Sequence, residues 1–303
     1  MIEAQQVMRL VADVLGVEPL GATHMDFGHM SVTYEVALPD RQVMVRTNER
    51  AEVFAGTARN LTLLADLGLP VPRVIASDLS KTRYPFAYMI LAKIPGRDLR
   101  YELPSMTPAR MTRVVEQIVD YQRRVATLPH GTGFGWVPIG ARGPFTSWQQ
   151  LVQAEFDKHT SGVQGAEWGG WERRVRGLAR SLDPYLRQVA PICFLDDVTT
   201  KNVIVQDGEL QGLVDFDVVC YGDPLYMVGL TATAVVSDVG TRELFYVDEL
   251  CRCWGLTDRQ RRVVAFYAAS FALDFARHFH ADESAEWNRR MLGAMARWVA
   301  TAE

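Results

Sequence analysis

Apolar residues near the amino end recur at helical spacing, at Ile2, Val7, Leu10, Val11 and Leu15, and the run stops at Gly16, which predicts a helix over residues 2–16. The pattern then turns to strands. Gly28-His29-Met30-Ser31 reads as a turn, and Val32–Leu38 and Gln42–Arg46 flank Pro39-Asp40 as the two arms of a hairpin. Val53, Phe54, Ala58, Leu61, Leu64 and Leu67 predict a helix over 52–67, closed by Gly68 and broken by Leu69-Pro70-Val71-Pro72. A further strand follows at Arg73–Ala76. Past residue 100 the period is helical. Thr107-Pro108 is an N-cap with proline at the first helical position, ahead of an apolar face at Met111, Val114, Val115, Ile118 and Val125. Thr146 and Gln149 resemble a capping box opening a helix through Phe156. Residues 161–165 and Gly169-Gly170 read as loop, and a helix is predicted over Trp171–Val189. Later helices fall at 225–235, 242–254, 258–280 (N-cap Thr257) and 286–300. No internal repeat or low-complexity tract interrupts them.

The most informative stretch lies between these helices. Val203-Ile204-Val205 and Leu213-Val214 flank Gln206-Asp207-Gly208-Glu209, and an Asp-Gly pair between short apolar runs is a hairpin signal. Such a hairpin brings Asn202, just before it, and Asp215, just after it, to the same end. Asp197 stands five residues ahead of Asn202. Few protein oxygens beside phosphates suit Mg²⁺, so the layout is that of a phosphoryl-transfer site.

The segment resembles the catalytic core of the aminoglycoside phosphotransferase-like kinases. Their pattern is H-G-D-x-x-x-x-N, a hairpin, D-F/W, then G-D-P. The matching residues here are Leu195-Asp196-Asp197, Asn202, Asp215-Phe216-Asp217 and Gly222-Asp223-Pro224. Protein kinases share the spacing between the catalytic-loop Asp and Asn. A lone D-x-x-x-x-N is common by chance; its coupling to the Asp-Gly hairpin, D-F-D and G-D-P within about thirty residues is far more specific.

The resemblance implies a bilobal, protein-kinase-like α+β fold, with a β-rich nucleotide-binding lobe over 1–94 and a mainly helical catalytic and substrate lobe over 95–303. It implies that Asn202 and Asp215 hold Mg²⁺ and that Asp197 orients the acceptor hydroxyl and takes its proton. It places Arg46, at the end of the second hairpin strand, on the phosphates of ATP or GTP. Tyr88–Gly96 resembles the last small-lobe strand and hinge, where the adenine would meet backbone groups near Leu91 and Lys93. Asp196, standing where the family has Gly, reads as salt-bridged or near the substrate. Asp217 has two readings, a water-mediated link to the metal or a bond to backbone. Lys201 likewise points to solvent or to a phosphate.

Three positions depart from the family. The catalytic-loop His is Leu195, and the Asp expected three residues after G-D-P is Met227. Both polar partners are apolar, so an apolar pair is expected to replace a buried polar contact, which can be nearly neutral when both partners change together. The third departure is the small-lobe helix. The resemblance calls for a Glu there to pair with the cation, but the sequence reads Thr57-Ala58-Arg59-Asn60, and Glu49 and Glu52 lie a turn or more too early.

Composition narrows the alternatives. The 303 residues suit two lobes, and 48% hydrophobic with 22% charged residues is ordinary for a soluble protein. A net charge of -4 argues against nucleic-acid binding through bulk positive charge. No apolar run approaches the roughly 20 residues that cross a bilayer. The amino end lacks a signal-peptide layout, and four cysteines without a C-x-x-C read as reduced, which together suggest a cytoplasmic protein. Oligomeric state is left open. The expected activity is phosphorylation of a small-molecule hydroxyl. The rival is a kinase-like nucleotide-binding or regulatory protein with little catalysis. A protein kinase is disfavoured, because Asp215 runs into Gly222-Asp223-Pro224 with no activation loop between them. Candidate acceptor residues are Trp254, Phe266, Tyr267, Phe271, Asp274, His278, Asp282 and Glu283.

Overall fold

The computed structural model describes residues 2–25, 31–162, 166–278 and 285–303. The chain divides into two compact units. The first comprises Met1–Pro95 with Gly212–Val218, the second Gly96–Gln211 with Val219–Glu303.

In the first unit, helix α1 (Ala4–Leu15) precedes strands β1 (Gly21–Met25), β2 (Val32–Ala37) and β3 (Gln42–Asn48). Helix α2 (Thr57–Asp66) follows, then β4 (Val74–Asp78) and β5 (Ala87–Ala92). The five strands form one antiparallel sheet in the order β1-β2-β3-β5-β4. The core is what the alternation requires. Val36, Val43, Val45 and Ile90 project from the sheet onto Val7, Leu10 and Val11 of α1, and all seven are fully buried. Each such side chain stabilises by about 1.5–3 kcal/mol. Helix α1 stops where Gly16 takes a left-handed conformation, φ 68°.

The helix expected over 52–67 is split. Ala51–Phe54 is a short 3-10 turn and α2 begins only at Thr57, N-capped by Gly56. Phe54 is fully buried, and the break lets it turn inward while Thr57 and Asn60 face the same interior. At the other end Gly68 (φ 78°) and the bond from Leu69 N–H to Leu64 C=O close the helix as the sequence predicts.

The second unit opens with β6 (Arg97–Asp98), α3 (Leu99–Glu102), α4 (Pro108–Val125), β7 (Gly135–Val137) and α5 (Trp148–Thr160). Helices α6 (Ala166–Ser181) and α7 (Asp183–Leu186) lead into strands β8 (Ile192–Phe194), β9 (Val203–Gln206), β10 (Glu209–Leu213), whose last two residues count with the first unit, and β11 (Val219–Gly222). Helices α8 (Leu225–Asp238), α9 (Phe245–Trp254), α10 (Asp258–His278) and α11 (Ala285–Ala302) complete it. Two small sheets, β10-β9-β6 and β7-β11-β8, carry the loops of interest. Helix α8 is the central pillar, buried on nearly every side. A Cβ at its Gly229 would collide with Tyr267, so glycine sets how closely α10 approaches.

Several helix limits differ from expectation. Gly169-Gly170 lies inside α6, whose apolar face outweighs the cost of two glycines. The helix predicted to Val189 instead ends at Ser181, and Pro184 starts the single turn of α7, because proline cannot donate to the preceding turn. The N-cap of α5 is Ser147, one residue later than expected, with Ser147 Oγ accepting from Gln150 N–H. Thr107 and Thr257 cap as predicted. The start of the turn at 28–31, the end of the 161–165 loop and the end of the 258–280 helix lie outside the described residues. All four cysteines are free, and no described helix is long and apolar enough to cross a membrane.

Candidate active site

In the helical unit the site grows from the loop between β8 and β9. The Asp207-Gly208 turn behind it is built as expected, with both residues at positive φ (54° and 75°), the two-residue geometry that matches strand twist. Asn202 immediately precedes β9. Its amide Nδ2 donates to the Asp197 carbonyl at 2.9 Å, and the Thr199 hydroxyl donates to Asp197 Oδ1 at 2.9 Å. The loop is thus closed on itself across the D-x-x-x-x-N spacing, while the Asp197 side chain stays exposed.

What holds the loop from beneath is a residue the sequence reading passed over. Gln122, buried in α4, donates through Nε2 to the Leu195 carbonyl at 2.6 Å and accepts the Leu195 N–H on Oε1 at 3.0 Å. A signal was present: Gln122 interrupts the apolar stripe Ile118, Val119, Val125 at a position where an apolar residue is expected. Leu195 itself is 2% exposed and Met227 0%, so both departures from the family are apolar and buried, as expected.

The neighbours of Asp197 are placed as well. Asp196 accepts from the indole N–H of Trp136 at 2.5 Å. Lys201 pairs with Asp238 at 3.3 Å, an ion pair neither sequence reading included, and Thr200 donates to the same carboxylate at 3.2 Å. Asp223 of G-D-P is fully enclosed and accepts from Tyr185 (2.8 Å), Tyr267 (2.9 Å) and the Leu225 N–H (3.1 Å). Burial raises its pKa, and those three donors oppose the rise.

The candidate acceptor residues fall into three groups. Phe266, Tyr267 and Phe271 are core, Tyr226 packing edge-on against Phe271 with centroids 4.6 Å apart. Trp254 is partly exposed at the end of α9, and Asp274 is paired with Arg277 at 2.7 Å. The side chain of His278, with Asp282 and Glu283, lies outside the described residues.

The β-rich unit carries its own share of the candidate residues, because residues 212–218 belong to it. Leu213 N–H bonds to the Pro70 carbonyl at 2.9 Å, and Asp215 follows β10 by two residues in a left-handed conformation, φ 70°. A non-glycine residue there is uncommon, and aspartate is one of the few that tolerate it. The Asp215 side chain keeps 53% of its surface, yet crowding by protein atoms raises its pKa; Asp217 adds to the rise and Arg46, 3.5 Å away, opposes it.

Arg46 sits on β3 opposite Thr33 and Met89. Its guanidinium forms a two-pronged pair with Asp217, Nη1–Oδ1 2.8 Å and Nη2–Oδ2 2.6 Å. Asp217 is therefore bonded to a cation, a partner that neither sequence reading named. At the expected hinge, Leu91 is flanked by Met44 and by Val74 on the neighbouring strands. Lys93 lies just past the ladder, and its side chain turns back to Glu35 (2.8 Å) and Gln42 (2.9 Å). Its backbone is the freer of the two candidate positions. Gly96, φ 108°, lies so close to β9 that a Cβ there would stand 2.5 Å from the Val205 carbonyl oxygen.

A β-rich N-terminal region, a helical C-terminal region, an Asp-x-x-x-x-Asn loop, an Asp-Gly hairpin and D-F-D define a protein-kinase-like fold of the small-molecule phosphotransferase type. The chain belongs to the phosphotransferase enzyme family, whose model matches residues 28–290. Solved structures agree on the fold. A thermostable mutant of aminoglycoside phosphotransferase APH(4)-Ia in its apo form superposes with a TM-score of 0.73 at 17% identity, covering 97% of this chain and 98% of that one. The GDP and kanamycin complex of APH(2")-IIIa gives 0.72 at 13% identity, covering 99% of each chain. ADP-bound APH(2'')-Ib gives 0.64 at 13%, again over 99% of each. No curated protein sequence matches the chain.

Proposed function

We propose that this protein transfers the γ-phosphate of ATP or GTP to a hydroxyl of a small-molecule acceptor, with Mg²⁺. The observation that carries the reading is the closed loop around Asp197. Its backbone is fixed by Asn202 and Gln122, one carboxylate oxygen is held by Thr199, and the side chain faces solvent. A carboxylate positioned in this way suits phosphoryl transfer, whose loose transition state asks for alignment more than for a strong base. Asp197 is accordingly the residue that orients the acceptor hydroxyl and receives its proton.

The donors offered to a metal fit Mg²⁺ in kind. Among the described residues no three His, Cys, Asp or Glu side chains form a cage by themselves. Mg²⁺ takes one or two protein oxygens together with substrate phosphates. Asp215 offers a half-exposed carboxylate. Asn202, with its nitrogen committed to the loop, offers its amide oxygen. A Mg²⁺ ion held by donors of this kind would neutralise phosphate charge. Arg46 serves the phosphates, and the backbone at Leu91 and Lys93 serves the base. Support for a nucleotide co-substrate and a small acceptor comes from relatives of the same fold, one of which holds AMP-PNP with hygromycin B and another ADP.

The test is thermal shift with ATP or GTP, with and without Mg²⁺, followed by phosphate transfer to a panel of amino-sugar and sugar hydroxyls. Mg²⁺-dependent stabilisation with transfer to some acceptor is expected. No nucleotide binding would favour the rival reading of a kinase-like scaffold without catalysis.

A further inference from the structure

The first turn of α2 carries no acidic residue, yet Arg46 has all its nitrogens engaged. Nη1 and Nη2 reach the two oxygens of Asp217 at 2.8 and 2.6 Å, and Nε donates to Ser31 Oγ at 3.2 Å. The guanidinium also lies over the Phe54 ring, 5.3 Å from its centroid. Both members of the pair are largely withdrawn from solvent, with 12% and 16% of their side-chain surface left. Helix α2 still takes part, through hydrogen bonds. The Thr57 hydroxyl donates to Asp217 Oδ1 at 2.7 Å, and Asn60 Nδ2 spans the carbonyls of Phe216 and Asp217 at 3.0 Å each.

We infer that Asp217 is a positioning residue for the nucleotide: it anchors Arg46 in place of an acidic residue on α2, and Thr57 and Asn60 lock it to that helix. This rests on the function proposed above. The exchange has a geometric logic. Asp217 has a short side chain on a tight turn, so it can hold a partner only where it stands. A planar guanidinium presents two parallel N–H groups to the two carboxylate oxygens, which fixes the plane as well as the distance. A lysine ammonium is a point charge and fixes neither. With one face of the fork bound by Asp217, Nη2 remains the atom nearest Asp215, at 3.5 Å, and so is directed toward the proposed phosphate and metal position. The cation in this chain must therefore be arginine, and its orientation depends on the second Asp of D-F-D.

The experiment is ATP binding in the presence of Mg²⁺, by titration calorimetry, on the full chain and on Asp217→Asn, Arg46→Lys and the double variant. Slow ATP hydrolysis supplies KM and kcat, and urea denaturation reports folding. Asp217→Asn keeps the shape of the side chain and removes its charge. Each single variant is expected to weaken ATP binding at least tenfold, with KM rising and kcat changing less than threefold. The double variant should be no worse than the weaker single. Thr57→Val, which removes one hydrogen bond to Asp217, should weaken binding about threefold and serves if Asp217→Asn does not fold. The role is overturned if Asp217→Asn or, in its place, Thr57→Val binds ATP like the unaltered protein, or if the two single losses multiply in the double variant. Absence of both ATP and GTP binding by the unaltered protein is a different result: it defeats the kinase reading, and this role with it; a protein that binds GTP alone is titrated with GTP in the same series.

Discussion

Gln122 grips Leu195 by both of its backbone polar groups, one bond of 2.6 Å and one of 3.0 Å, in a fully buried setting. A helix side chain thereby pins the first residue of the candidate catalytic loop without any contribution from the Leu195 side chain. Replacing Gln122 by Ala strands a buried N–H and a buried C=O, each costing about 1–3 kcal/mol. A loss of about 2–6 kcal/mol in urea denaturation is expected, together with a fall in transfer rate larger than the fall in ATP affinity. A Gln122→Ala protein of unchanged stability would show that other bonds hold the loop.

The buried Leu195 and Met227 predict a coupled exchange. Restoring His at Leu195 alone buries an imidazole with no acidic partner and should destabilise by about 1–3 kcal/mol. Restoring Asp at Met227 as well should recover part of that loss. Residues in one network show coupling of about 0.5–3 kcal/mol in a double-mutant cycle. Strict additivity would place the two residues in separate surroundings.

The site residues should separate binding from chemistry. Asp197→Ala is expected to leave ATP binding within about twofold and to lower transfer by roughly 10²–10⁴-fold, the usual worth of a positioned base. Asp215→Ala should instead abolish the Mg²⁺-dependent part of nucleotide binding. Calorimetry and a phosphate-transfer assay tell the two apart; a variant of Asp197 that loses ATP binding first would count against its role.

His159 predicts a dependence on pH. It is buried in α5, 3.3 Å from Ser270 Oγ and 3.7 Å from Glu155. Burial lowers its pKa below 6.5; Asp274 and Glu155 oppose this, and Lys158 and Arg277 reinforce it. The unfolded chain then takes up a proton near pH 6.5 that the folded chain still refuses. Stability conferred by this group is present above 6.5 and lost as pH falls through that value toward the lower folded pKa. The urea midpoint should drop between pH 7.5 and 5.5, and His159→Gln should make that drop smaller. An equal drop in the variant would assign it to other groups.

The parts of the fold that read well from sequence were those set by local rules. The Asp207-Gly208 turn, the Gly16 and Gly68 stops and the Thr107 and Thr257 caps depend on a few adjacent residues, and each is built as its residues dictate. The helix limits at Phe54, Gly169 and Ser181 were less legible, because burial of a distant face or one proline overrode a continuous period. At the site, the spacing of Asp197 and Asn202 and the run Asp215-Phe216-Asp217 stood out in the sequence. The partners Gln122, Thr57, Asn60 and Trp136 did not. Their bonds join positions 60 to 160 residues apart, a separation no local pattern encodes. Gln122 came nearest, as the one polar residue in an apolar stripe.

The inclusion of residues 212–218 in the β-rich unit has a consequence for how this chain is made. When Pro95 leaves the ribosome the sheet is complete in sequence, but Arg46 has no Asp217, and Thr57 and Asn60 have no acceptors in the turn that follows β10. At the usual pace of synthesis, about 5–20 residues per second, the missing seven residues arrive roughly 6–25 s later. Through that interval a nascent chain holds an uncompensated, half-formed interior beside its first sheet. A fragment cut at residue 95 would keep that condition permanently, whereas grafting the 212–218 segment onto it by a short linker should complete it.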